Sequence, residues 1–548
     1  MCDINRHNFL EKFDDIKKSI EEAKFIAVDC EFSGLVENPI FKNSLFDSAE
    51  ERYKKLKEAT QGFVIIQIGI TTFKYIPQAN NYESNVYNFQ LCPKWYGSDD
   101  TILFQRSCLI FLCAHKFDFN EFIYNGISYL NKSDQARVKQ DLDSDTWFNN
   151  IEHPFLNDDE LQIQTICSHI NWWLLTCSPG DSTTVSLVWV EDSYVMNYVL
   201  LYEITHRFLR KGVCAFLRSN EIHVEKFNTG DASLKQSRET LQHELLQVAK
   251  SQAWQSMLGF SQVFQLLVEH KKPLIGHNLL TDLLFMYKQF HQPLPSSLKR
   301  FKTEISRLFP CVYDTKFISY EIKSKLEKNQ KWSNNGLSGL YEWLRDHSNI
   351  THLLLYAPKL KLMDGVSISD AKFHTAGWDS YFTGYCFVYM IYISSSLRHK
   401  LPVIFKPFTL TDQLLSVRSY ENRINLIRAH LSHVNLAGPD PASTRPSLIL
   451  VKTRSGEQID VGQVAEMFAD FGSVDVRYHT SNSALVAAGN HVCARLSLDK
   501  LRNHPLYTIS TYRPHKQLIL NTIYTLGVLS SLIGGVALGY LVLSKPKL

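Results

Sequence analysis

The sequence predicts an α/β protein with a small α+β region near its C-terminus and a transmembrane helix at its end. Three observations carry this expectation. Apolar runs of strand length alternate with amphipathic stretches of helix length. A breaker-rich segment, residues 435–446, separates that alternation from a second, shorter one. Residues 518–543 form an apolar run without a charged side chain. A chain of 548 residues exceeds what one hydrophobic core serves, so two or three domains are expected.

The elements follow in chain order. An amphipathic stretch from Phe9 to Glu22 leads into the apolar strand Phe25–Cys30, and Phe63–Tyr75 (FVIIQIGITTFKY) alternates like the next strands of a meander. Residues 145–250 are less regular and are broken by the turn-rich run from Ser178 to Thr183. They hold a helical pattern from Met196 to Leu209 and a basic cluster of Arg207, Arg210, Lys211 and Arg218, and they read as an insertion. Alternation resumes with a helix near Gln242–His270, a strand at Pro273–His277 and a helix from Leu280 to Phe290. Residues 370–399 carry a further helix. This organisation makes residues 1–434 one domain, 435–446 a linker, 447–510 an α+β region of RRM-like order, and 518–543 a membrane span. The basic-aromatic strand motif that stacks bases in RRM modules is not evident, so RNA binding is not expected of that region.

Bulk composition narrows the classes. The chain is 45% hydrophobic and carries a net charge of +3, which permits an anionic partner without demanding one. Eleven cysteines occur without a CxxC pair, and the polar N-terminus lacks a signal-peptide core, so free thiols in a reducing compartment are expected and structural zinc is not. The run LILNTIYTLGVLSSLIGGVALGYLVL, from Leu518 to Leu543, exceeds the roughly 20 residues that span a bilayer core. It reads as a tail anchor with the rest of the chain facing the cytosol.

The chemistry begins at Val28-Asp29-Cys30-Glu31. Residues two apart on a strand share a face, so Asp29 and Glu31 project together while Cys30 points away. Adjacent carboxylates repel, and a divalent cation with oxygen ligands resolves the conflict. A second piece, Pro273 to Asp282, ends an apolar strand at Gly-His-Asn and puts Asp282 in the first turn of a helix. A third, Phe373 to Tyr381, places His374 in a loop and Asp379 in a helical first turn, so that both can converge on one point. Taken singly, each acid is compatible with a solvated strand end or with compensation of a helix dipole.

In combination, a strand Asp-x-Glu, a helix-borne Asp and His-x4-Asp resemble the order of the DEDDh 3′ exonucleases. That resemblance implies an RNase H-like DEDD exonuclease fold, with Asp29, Glu31, Asp282 and Asp379 holding two Mg²⁺ ions, Mn²⁺ being a substitute. It also implies that His374 takes the proton of the attacking water. The blocks FIAVDCEFSGL (25–35), QIGITTFKY (67–75), FDFNEFIYNGISYL (117–130), GHNLLTD (276–282), DTKFIS (314–319) and FHTAGWDSYFTG (373–384) resemble the poly(A)-specific, PARN-like ribonucleases in particular. Matching positions imply that Phe32, Leu35, Asn278 and Lys316 contact single-stranded RNA near its 3′ end. Asp118, Glu121 and Asp314 fall in the same blocks and are expected to be capping or structural acids.

Two departures from that family bear on substrate. Residues 145–250 lack the Arg-x3-His spacing of the family's inserted nucleic-acid-binding module, and the family's soluble deadenylase has no counterpart of the apolar run at 518–543. Both features resemble a membrane-anchored branch that trims the 3′ ends of precursor piRNAs. This resemblance implies a PIWI protein carrying the RNA and a Tudor-domain mitochondrial membrane protein as recruiter. It also implies tail anchoring in the mitochondrial outer membrane, with the endoplasmic reticulum as the alternative. The resemblance to the PARN-like ribonucleases allows a homodimer and leaves the oligomeric state open. The competing readings are a membrane-tethered deadenylase and a catalytically inactive RNA-binding scaffold.

Overall fold

The computed structural model describes residues 1–35, 41–94, 96, 101–144, 157–189, 192–218, 220–346, 350–363, 366–399 and 406–513. The chain forms two compact units. The larger comprises Met1–Lys42, Tyr53–Leu426 and His433–Pro441. At its centre lies a sheet ordered Cys2–Ile4, Asn81–Gln90, Ile65–Ile76, Phe25–Phe32, Leu274–Gly276, Val312–Asp314, with Lys359–Leu362 also pairing with Asn81–Gln90. Phe25, Ile26, Ala27 and Val28 are all buried, as a central strand covered on both faces requires. Ile65–Ile76 runs antiparallel to it with Gly69 opposite Asp29 and Gln67 opposite Glu31, and the register shifts between Glu31 and Phe32. Leu274–Gly276 continues the sheet in parallel, and Val312–Asp314 parallel to that. Three antiparallel strands followed by parallel additions form the α/β core expected of an RNase H-like exonuclease.

The helix Ala376–His399 is buried over most of its surface, which is why its apolar residues run all round rather than along one stripe. Tyr381 stacks on Phe73, Phe387 meets Phe25 edge-on, and a Cβ at Gly384 would sit 2.1 Å from the Phe73 ring. At its start the approach is closer still. A Cβ on Gly69 would lie 1.8 Å from the Ala376 carbonyl oxygen, so only glycine admits this helix N-terminus onto the sheet.

Within the larger unit, the helices Asn157–Trp173, Ser193–Phe208 and Ala232–Leu258 accompany an antiparallel sheet ordered Ser182–Ser186, Glu221–Lys226, Val213–Arg218. Met196, Leu200, Ile204, Ala215, Val224 and Ala253 belong to its core. Several members of the basic cluster have local partners here. Arg207 pairs with Glu203 at 2.6 Å, Lys211 lies over Phe208 and Arg218 over Phe216.

The smaller unit comprises Asn43–Arg52, Ile427–Ser432 and Ala442–Leu548. Its sheet is ordered Val474–Thr480, Ser483–Ala488, Ile449–Thr453, Tyr507–Thr511, with helices Val461–Ala469 and His491–Lys500 in a βαββαβ sequence. Two segments distant in sequence fold onto it. Asp475 accepts hydrogen bonds from the Leu45 N–H at 2.6 Å and the Ser44 hydroxyl at 3.3 Å, and it pairs with Arg428. The Arg477 guanidinium lies 4.2 Å over the Phe46 ring. Arg52, buried, pairs with Asp47 at 3.0 Å and donates to the backbone carbonyls of Ile427 and Arg428. Asp475 and Arg477 are therefore engaged by this chain's own segments, which fits the missing base-stacking motif.

The expectation of a C-terminal transmembrane helix is corrected. Among the described residues no helix is long and apolar enough to cross a membrane, and residues 514–548, which include the run 518–543, lie outside the described residues. The longest described helices show the reason. Ala232–Leu258 carries Lys235, Arg238, Glu239, Glu244 and Lys250, and the apolar surface of Ala376–His399 is already packed within the larger unit.

Substituting Gly69→Ala should force the Ala376–His399 N-terminus off the sheet. A destabilisation of about 1–3 kcal/mol is expected from overpacking, measured by urea unfolding, together with loss of nuclease activity; wild-type stability and rate would contradict the docking described.

Candidate active site

Asp29 and Glu31 share one face of the central strand, and the residues opposite them prepare the partner element. Gln67 Oε1 accepts the Ala376 N–H at 2.9 Å and Asn88 Oδ1 accepts the Gly377 N–H at 3.1 Å. Two N–H groups that a helix start leaves without intrahelical partners are thus satisfied by sheet side chains. Thr71 bonds Ser380 at 2.7 Å one strand pitch further on. Held this way, the first helical turn delivers Asp379 to the strand carboxylates. Ligand oxygens of Asp29, Glu31 and Asp379 lie within 4.8 Å of one another. Asp379 Oδ2 accepts the His374 N–H at 2.9 Å, whereas its buried Oδ1 has no hydrogen-bond partner among the described residues.

Such crowding sets the protonation. Burial, reinforced by Asp379, Asp282 and Glu31, holds Asp29 well above the ordinary carboxylate range. Burial and then Asp379 and Asp282 raise Glu31 to about 8. Burial raises Asp379 to about 7 against the opposing His374 hydrogen bond. Asp282, buried in the first turn of Leu280–Phe290, also rises to about 7 through burial, opposed in part by hydrogen bonds from Cys30. It stands beside the other three rather than inside their 4.8 Å cluster. Carboxyl groups that cannot all ionise together, one with an orphaned buried oxygen, fit a divalent cation.

The other predicted residues are distributed around this centre. His374 has an exposed side chain and a left-handed backbone, φ 65°, that is uncommon outside glycine. Burial and then neighbouring His115 lower its pKa, so the ring is neutral near pH 7 and able to accept a proton. Phe32 packs against Phe285 with centroids 4.5 Å apart, and Leu35, 41% exposed, donates its N–H to Gln105. Asn278 is also left-handed, φ 65°, with its side chain joined to Asn425 at 3.0 Å. Lys316 is half-buried.

The segments carrying Asn278 and Lys316 are fixed by one buried acid. Asp314 accepts N–H groups of Asn278, Leu279, Lys316 and Asn425 at 2.9, 3.2, 2.9 and 2.9 Å. It is structural, as expected. So are Asp118, which caps Phe119–Asn125, and Glu121, which accepts from Asn125.

Sequence reading missed the supports: Gln67, Gly69, Asn88 and Thr71, and the rings of Phe111 and His115 beside His374. A signal for the first group was present. Gln67, Gly69 and Thr71 recur every second residue, interleaved with Ile66, Ile68 and Ile70, which marks one face as reserved for something other than core packing.

Comparison with known proteins agrees with this geometry. The profile of the CAF1 family ribonuclease matches residues 4–387. The pre-piRNA 3′-exonuclease trimmer of Bombyx mori is 32% identical over 549 residues, covering 100% of this chain and 99% of the relative. Poly(A)-specific ribonuclease PNLDC1 of Mus musculus is 29% identical, covering 93% and 94% respectively. Poly(A)-specific ribonuclease PARN of Homo sapiens is 27% identical, covering 93% and 80%.

A pH dependence follows. Carboxyls raised to about 7 and 8 in the fold titrate near 4 when unfolded, so the metal-free fold loses their contribution as pH rises through that window. A cation must instead displace their protons below it. The rise in melting temperature on adding Mg²⁺ should therefore be larger at pH 8 than at pH 6; an equal rise would show that these carboxyls do not bind the ion.

Proposed function

Since the chain belongs to the CAF1 family of ribonucleases, we propose that its carboxylate cluster hydrolyses the terminal phosphodiester of single-stranded RNA from the 3′ end. Each cycle releases a 5′-mononucleotide. The observation that carries this reading is the convergence of Asp29, Glu31 and Asp379 oxygens within 4.8 Å, with Asp282 beside them. These four residues would hold two Mg²⁺ ions, with Mn²⁺ as a substitute. When bound, such ions activate water and stabilise charge on the leaving oxygen.

The protein's own side chains do the remainder. His374, neutral and exposed, accepts a proton from the attacking water on a ring nitrogen. Water oxygen bonds to phosphorus, the bond from phosphorus to the penultimate 3′ oxygen breaks, and that oxygen is protonated to a 3′-hydroxyl. Phe32 and Leu35 present apolar surface to the terminal bases, while Lys316 and Asn278 offer a cation and an amide to the backbone.

Similarity over the full length of the silkworm trimmer supports precursor piRNAs, presented by a PIWI protein, as the substrate. The alternative is deadenylation, as in the relatives named poly(A)-specific. An inactive scaffold has no reason to keep three converging acids, Asp282 beside them and His374.

The test uses the full chain and 5′-labelled RNA. Glu31→Gln, close in shape but unable to balance metal charge, should lower trimming in Mg²⁺ by roughly 10³-fold or more; near wild-type trimming would remove the assigned site. Mixed-sequence RNA with a PIWI protein should be shortened at least as well as poly(A), whereas a strict preference for bare poly(A) would favour deadenylation.

A further inference from the structure

Among the described residues no hydrogen bond orients the imidazole of His374. Its backbone N–H is committed to Asp379, and among the described residues no side chain or backbone group bonds its ring. A catalytic histidine is ordinarily aimed by a partner on its second nitrogen. Here two other rings take that place. The His115 centroid lies 4.0 Å from that of His374 at an interplanar angle of 47°. Phe111 meets His374 edge-on at 5.0 Å and 81°, and Phe111 and His115 are themselves 4.5 Å apart. Both come from one short element, the helix Arg106–Ala114, for which His115 is the C-cap. Their spacing of four residues puts them on the same helical face.

We propose that His115 is a positioning residue for the nuclease reaction: its ring backs the His374 imidazole and, with Phe111, fixes the plane in which that imidazole meets the attacking water. The inference rests on His374 as proton acceptor. His374 sits in a left-handed turn whose backbone is pinned to Asp379, so the backbone sets where the ring begins. Rotation about the side-chain bonds is what remains free, and a ring whose centre lies 4.0 Å away restricts it. Proton transfer is sensitive to such aim, because the acceptor must lie within hydrogen-bond reach of the water in the reacting geometry. His115 itself is exposed, and among the described residues it is not one of those whose ligand atoms cluster within 4.8 Å.

The experiment uses the full chain with Mg²⁺ and single-stranded RNA. His115→Ala should lower kcat by about tenfold with KM changed less than about twofold, the pattern of a lost transition-state interaction. His115→Phe, which keeps a flat ring and removes the nitrogens, should restore kcat to within about threefold of wild type. In a His374→Ala background, adding His115→Ala should cost nothing more, since its effect passes through the absent ring. Independently of activity, the ring proton resonances of His374 in the metal-free protein should move on His115→Ala and stay near their wild-type position on His115→Phe. A rise in KM would make His115 a substrate contact and overturn the proposal. So would a His115→Phe rate as low as that of His115→Ala, or unchanged kcat and resonances in His115→Ala. If His374→Ala alone left the rate intact, the proton-acceptor assignment would fall, while the resonance shifts would still report whether the two rings are in contact.

Discussion

The carbonyl of Ala376 occupies the space that a side chain on Gly69 would fill, and the active site depends on that close approach. Gly69 is paired with Asp29 across the sheet, so the missing side chain stands beside the first metal-binding candidate. Because the helix begins there, its first turn brings Asp379 within reach of Asp29 and Glu31. Gln67 and Asn88 make the approach sustainable by accepting N–H groups that would otherwise be buried without partners.

Holding acids this close is unfavourable on its own. Burial raises Asp282 and Asp379 to about 7, and burial with the nearby Asp379 and Asp282 raises Glu31 to about 8, so without a cation the cluster is favoured when partly neutral. The surrounding fold, including the five backbone N–H groups directed at Asp314, supplies rigidity that the cluster lacks. Cation binding then relieves a strain that packing has imposed, which is the electrostatic logic of a metal-dependent nuclease.

Elsewhere, several charged side chains are engaged by neighbours within their own unit. In the larger unit Arg207 and Arg218 have partners on their own elements, and in the small unit Asp475 and Arg477 are engaged by Ser44, Leu45, Phe46 and Arg428. Engagement by residues hundreds of positions away also explains why the small unit takes in Asn43–Arg52, a segment that sequence continuity assigns to the other domain.

By itself the sequence determined the α/β class and the family. It also supplied the strand that places Asp29 with Glu31 and the helical first turns that carry Asp282 and Asp379. These are local properties: a two-residue strand period, a helix start, and blocks of side chains in a fixed order. Tertiary structure alone decided the convergence of Asp29, Glu31 and Asp379, the neighbouring place of Asp282, and the tilted ring contact of His115 with His374. It likewise decided that Asp314 is a hub and that Gln67 and Asn88 cap a helix some 300 residues away. The physical reason is that periodicity records which face a residue occupies, whereas a contact records which two faces meet. The pairing of Gly69 with Ala376 could be read only once the sheet and helix were assembled.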